Sequence, residues 1–83
     1  MKLLYFAWVK DRIGLSEETV DLPNDVTTII ELLDWLASRG ENYASAINNG
    51  KTVRIAVNQS YAPEDKSITN EDEIALFPPV TGG

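Results

Sequence analysis

The 83-residue chain contains no cysteine and no histidine. Without thiols it can form no disulfide, offer no thiolate nucleophile and ligate no iron–sulfur cluster. Without imidazole it lacks the usual neutral-pH general base and the common zinc-ligand sets. Ser16, Ser38, Ser45, Ser60 and Ser67 therefore have no partner to turn a hydroxyl into a nucleophile. Any chemistry must use carboxylates, amines or the chain ends. Basic residues are scarce as well: seven Lys and Arg stand against thirteen Asp and Glu, for a net charge of −6. That balance argues against nucleic acid as a partner and suits a protein carrying a basic patch. Long apolar runs are also missing. The longest, residues 3–9 and 74–77, fall far short of the roughly 20 residues a membrane helix needs. Met1-Lys2 leads straight into an apolar segment with no signal-peptide pattern, so the expected location is cytoplasmic, with no membrane partner.

What remains has the makings of one globular core. Residues 2–9 (KLLYFAWV) read as a strand, with Leu4, Phe6 and Trp8 on one face and Leu3, Tyr5, Ala7 and Val9 on the other. The run from Lys10 to Gly14 breaks it, and residues 17–22 return as the second strand of a hairpin. Pro23-Asn24-Asp25 is turn chemistry. Thr28, followed by Glu31, makes a capping box and predicts a helix over 28–38. Ile29, Leu32, Leu33 and Leu36 then form one stripe, Asp34 and Arg39 face water, and Gly40 takes the left-handed cap. Residues 41–48 add a short helical turn. Residues 52–58 alternate with Val53, Ile55 and Val57 inward, and residues 60–62 make a short extended piece stopped by Pro63. A polar loop with one apolar anchor, Ile68, leads to a last strand at 73–77. The order hairpin, helix, strand, short strand, strand predicts an α+β fold of the β-grasp (ubiquitin-like) type. One main helix packs across a mixed sheet whose last strand lies beside the first. Residues 1–77 make the single domain and 78–83 an extended tail.

The tail carries the chemical suggestion. Pro78 and Pro79 fix φ and remove two backbone donors, which stiffens the exit. The six residues from Pro78 to Gly83 span roughly 20 Å when extended. Gly82 and Gly83 offer the thinnest backbone a narrow channel can admit, ending in an unhindered α-carboxylate.

Four stretches carry a family likeness: Leu4-Tyr5-Phe6-Ala7, the helix beginning at Thr28, Ala56-Val57-Asn58-Gln59, and the ending DEIALFPPVTGG from Asp72 to Gly83. On these the chain resembles the ubiquitin-like sulfur carriers, and among them the small (sulfur carrier) subunits of molybdopterin synthase. One departure is Asn70-Glu71-Asp72, where that family places a glycine between acidic residues, which leaves the type of turn open. The resemblance implies that a ubiquitin-activating-like adenylyltransferase uses ATP to adenylate Gly83, with no permanently bound cofactor on the carrier. A persulfide donor then supplies sulfur, and the resulting 1-thioglycine passes it to cyclic pyranopterin monophosphate in molybdenum cofactor biosynthesis. The carrier has no catalytic machinery of its own and acts as the sulfur-donating subunit of a sulfurtransferase complex. The implied partner is the large catalytic subunit, in a hetero-oligomer of two small and two large chains. Pro79, Val80, Thr81 and Gly82 would lie in the partner's channel, and Phe77, Tyr5 and Trp8 are candidates for its docking surface. Lys10, Arg12 and Arg54 are scattered cations that favour a solvated surface over a phosphate site. Two rival readings share the ending: the sulfur carrier of thiamine biosynthesis, whose chains are shorter and lack the Phe-Pro-Pro approach, and a ubiquitin-like protein modifier. An adaptor whose tail is irrelevant is a third.

Overall fold

The computed structural model describes residues 1–48 and 53–79. Its first strand, β1 (Lys2–Tyr5), buries Leu3 and Tyr5 and turns Lys2 and Leu4 the other way. The strand stops four residues earlier than its composition predicts. Phe6 is still extended, at φ −126° and ψ 152°, but Ala7 turns left-handed, at φ 53°, and opens helix α1 (Ala7–Ile13). Val9 and Ile13, four apart, face the core, which is the helical signal hidden in an aromatic-rich segment. The Lys10 to Gly14 run is therefore a helix end and not a hairpin turn. Gly14, at φ 92°, is the left-handed cap, and its N–H donates to the Lys10 carbonyl at 2.8 Å. Strand β2 (Glu17–Thr19) then pairs antiparallel with β1, Leu3 opposite Glu18.

The Thr28 capping box is formed. The Glu31 N–H donates to Thr28 Oγ1 at 3.4 Å, and Glu31 Oε1 accepts from the N–H groups of Thr27 and Thr28 at 2.9 and 3.1 Å. Those donated bonds, the Thr27 backbone first, hold the Glu31 carboxyl below its usual range. Helix α2 (Ile29–Ala37) buries Ile29, Leu32 and Leu36 completely, while Leu33 and Trp35 are half-buried at the margin of the core. Gly40 is not its left-handed cap: it is extended, at φ 167°, and serves as N-cap of a third helix, α3 (Glu41–Ile47). The missing side chain of Gly40 leaves room for Asn42, whose Nδ2 donates to the Ile13 carbonyl at 2.7 Å and ties α3 to α1. Two seven-residue helices thus accompany the main helix.

Strands β3 (Arg54–Val57), β4 (Ser60–Tyr61) and β5 (Glu73–Phe77) fall where the alternation and the turn residues place them. The sheet order is β2-β1-β5-β3-β4, with β5 parallel to β1 and antiparallel to β3. This is a mixed-sheet β-grasp. Ile74 and Leu76 of β5 are fully buried, each burial contributing about 1.5–3 kcal/mol. Ile68 anchors the loop before β5 in the core, and its N–H donates to the Thr27 carbonyl at 2.9 Å. The turn at 69–72 uses no left-handed residue, so the glycine that the family resemblance suggested there is not demanded by the backbone. Among the described residues no helix is long and apolar enough to cross a membrane.

Candidate functional site

Strand alternation decides what the far side of the sheet presents. With Ile74 and Leu76 turned to the helices, Glu73, Ala75 and Phe77 face away from them. The registers align a row across the sheet: Tyr61 beside Ala56, Ala56 beside Ala75, Ala75 beside Leu4, and Leu4 beside Glu17. Two alanines between larger side chains make a shallow apolar floor. At one end Tyr61 is 74% exposed, and its ring lies 5.8 Å from that of Phe77 at an interplanar angle of 58°. Phe77 pairs with Arg54 across the β3–β5 ladder. Phe6, 49% exposed, donates its N–H to the Leu76 carbonyl at 3.1 Å, so it sits beside the end of β5. Aromatic side chains therefore gather where β5 gives way to Pro78 and Pro79, both half-buried.

Of the residues singled out from the sequence, Phe77 and Pro79 lie at this exit. Val80, Thr81, Gly82 and Gly83 fall outside the described residues. Tyr5 does not belong to the surface: it is 1% exposed, because its parity in β1 points it at the helices. Trp8 is on α1 and not on the sheet, half-buried against the core with the Arg12 guanidinium 5.5 Å over its ring. Arg12 also donates to Ser45 Oγ at 3.2 Å, so it and Arg54, on β3, belong to separate elements. Tyr61 and Leu4 were not anticipated as surface. A two-residue strand is too short for its alternation to be read, and Leu4 lies in a run whose composition reads as a longer, two-sided apolar strand.

A second polar cluster also escaped the sequence. Glu18 Oε2 accepts from the Tyr5 and Tyr43 hydroxyls, both at 2.7 Å, and Oε1 accepts from Arg39 Nη1 at 3.1 Å. The Arg39 guanidinium, expected in open water, stacks 4.8 Å from the centre of the Tyr43 ring and 5.2 Å from that of Trp35. Burial, then the bond to Glu18, pushes both tyrosine hydroxyls above their ordinary pKa. Burial alone would raise Glu18, but the bonds from Tyr43, Tyr5 and Arg39 outweigh it and hold the carboxyl below its usual range. The cluster locks α2 and α3 to the β2 edge. Among the described residues no group of three or more acidic side chains could hold a metal ion.

A mixed five-stranded β-grasp sheet that feeds its central strand into a C-terminal tail is the architecture of ubiquitin-like proteins. The ThiS family model matches residues 3–83, and the chain belongs to that family. It is 37% identical to the molybdopterin synthase sulfur carrier subunit of Haemophilus influenzae, over 100% of this chain and 99% of the relative. Its identity to the sulfur carrier subunit of Escherichia coli is 36%, with the same two coverages. The crystal structure of small archaeal modifier protein 1 from Haloferax volcanii superposes with a TM-score of 0.77 at 27% identity, covering 96% of this chain and 97% of that one.

Proposed function

We propose that the chain is the sulfur carrier subunit of molybdopterin synthase and that Gly83 is its reacting residue. The observation that carries this reading is the likeness of the whole chain, end to end, to relatives that bear that name, together with its own Gly-Gly ending. The Gly83 carboxylate oxygen attacks the α-phosphorus of ATP in an adenylyltransferase and pyrophosphate leaves. A persulfide sulfur then attacks the acyl carbon and expels AMP, and thiol cleavage of the S–S bond leaves the thiocarboxylate. In the synthase's large subunit that sulfur passes to the pyranopterin precursor. With neither histidine nor cysteine, the chain supplies the reactant and not the catalyst. The acids, bases and cations belong to its partners, and the cytoplasm is where such partners would meet it. The Phe6, Tyr61 and Phe77 rings beside the exit of β5 give those partners an apolar surface next to the tail.

The intact mass after incubation with activating enzyme, ATP and a sulfur donor tests the reading. The wild type should gain the mass difference between sulfur and oxygen. Deleting Gly83 draws the carboxylate back by about 3.5 Å, and the shortened chain should load at least about a hundredfold more slowly. Normal loading by the shortened chain refutes the assignment. A second reading, a protein modifier whose Gly83 forms an isopeptide bond with lysine, is favoured by the likeness to the archaeal modifier protein. It predicts a conjugate carrying the mass of a whole second protein.

A further inference from the structure

Several hydrogen bonds converge on the start of β5 through one side chain. Asn58 and Gln59 form the two-residue turn between β3 and β4, both left-handed, at φ 51° and 71°. Asparagine suits the first of those positions. The Asn58 N–H donates to the Glu73 carbonyl at 2.8 Å, and the Glu73 N–H donates to Asn58 Oδ1 at 2.9 Å. The side-chain amide thus extends the β3–β5 ladder one step beyond the Val57–Ile74 pair. Its Nδ2 donates to Asp72 Oδ1 at 3.0 Å, while Asp72 Oδ2 accepts from the Thr69 N–H at 2.9 Å. The Asp72 carbonyl accepts from the Lys2 N–H at 3.3 Å, which brings β1 to the same point.

Apolar burial chooses which residues of β5 face inward, but it is non-directional and resists a small slide along the strand only weakly. Directional hydrogen bonds resist it strongly: the ladders to β1 and β3 set the register, and the Asn58–Asp72 bonds close the end of β5 where the β3 ladder stops. A strand is nearly inextensible at about 3.3 Å per residue, so a stop at Glu73 also fixes Phe77, four residues on. We propose that Asn58 and Asp72 form an axial stop for β5, a positioning pair that fixes where the chain leaves the sheet and so aims the reacting carboxylate. The inference rests on the reading of Gly83 as the reacting residue.

Asn58→Asp keeps the turn and an acceptor for the Glu73 N–H, but removes the Nδ2 donor and sets carboxylate against carboxylate. The exchange Asn58→Asp/Asp72→Asn reverses donor and acceptor, restores every bond of the clasp and leaves the net charge unchanged. Each chain, verified as folded by its melting curve, is assayed for pyrophosphate exchange and for thiocarboxylate formation. Asn58→Asp should lower kcat by about ten- to a hundredfold with KM unchanged, because the aromatic docking surface is untouched, and the exchange should restore it. Ile13→Val, a core trim on α1, which bonds neither the clasp nor the loop leading into it, should lower the melting temperature with kcat unchanged. If Asn58→Asp fails to fold, Asp72→Asn, which removes one acceptor, takes its place with the same expectation. A wild-type kcat in the single variant, or an exchange variant that regains its melting curve but not its kcat, overturns the positioning pair. A wild type that gains no sulfur mass overturns the Gly83 reading and this inference with it.

Discussion

Glu18→Gln is the sharpest test of how the helices are fixed to the sheet. The substitution keeps the side-chain size but leaves one oxygen where the carboxylate had two. Tyr5, Tyr43 and Arg39 would then compete for a single acceptor, and the new amide would point hydrogens at donors. The ion pair itself is partly solvated, with side chains 14% and 29% exposed for Glu18 and Arg39, so screening limits it to about 1 kcal/mol or less. The orphaned hydroxyl of buried Tyr5 adds about 1–3 kcal/mol. A total loss of about 1–4 kcal/mol follows, roughly 4–30 °C in melting temperature for a domain of this size. Urea and thermal unfolding measure it directly. The pH dependence supplies a second check with a definite sign. Because the folded-state pKa of Glu18 lies below its unfolded value, near 4.3, the unfolded chain takes up the proton first on acidification. The stabilisation is full above about pH 4.3 and is lost as pH falls through the folded value. The gap between wild type and variant should be widest at neutral pH and close in acid. A loss under about 0.5 kcal/mol, or a gap that ignores pH, refutes the account.

Two further outcomes concern the helices, and both are read by denaturant unfolding. Leu36→Ala should cost about 2–5 kcal/mol and Leu33→Ala clearly less, since Leu36 is fully buried and Leu33 only half; equal costs would refute the register of α2. Ala7→Gly should raise stability by about 0.5–1 kcal/mol, because relief of the left-handed strain at φ 53° exceeds the entropy cost of glycine.

The parts of this fold visible in the sequence are those set by local chemistry. The Thr28 box, the alternation of β3 and the short apolar run of β5 each specify one conformation through neighbouring residues. The first ten residues misled because β-propensity and burial pull apart there. An aromatic and aliphatic composition is satisfied by four residues of strand, and the remainder turns through Ala7 so that Val9 and Ile13 cover the core. Gly40 carried a true signal assigned to the wrong place: a helix boundary lies there, but the left-handed cap is at Gly14. The exit was half legible. Phe77 was named from the sequence, whereas Tyr61 and the Glu18 cluster depend on contacts between residues far apart in the chain, where no spacing rule reaches.

If the Gly83 carboxylate reacts as proposed, the position of β5 explains how the fold can tune it as a reactant. A tail placed after β4 would hang from two residues paired on one side only, and a tail after β2 from three. Such edges open locally at little cost in free energy, and their ends wander accordingly. β5 is paired on both sides, buries Ile74 and Leu76 completely, and is pinned at its start by Asn58. Opening it means breaking two ladders and uncovering the centre of the core, so its local stability approaches that of the whole domain. The stability of the fold is thereby converted into positional certainty at Phe77, where the stiff Pro-Pro segment takes over. On the proposed reading of Gly83 as the reacting residue, catalysts that must find one carboxylate twice, first for adenylation and then for sulfur transfer, gain most from a substrate held this way.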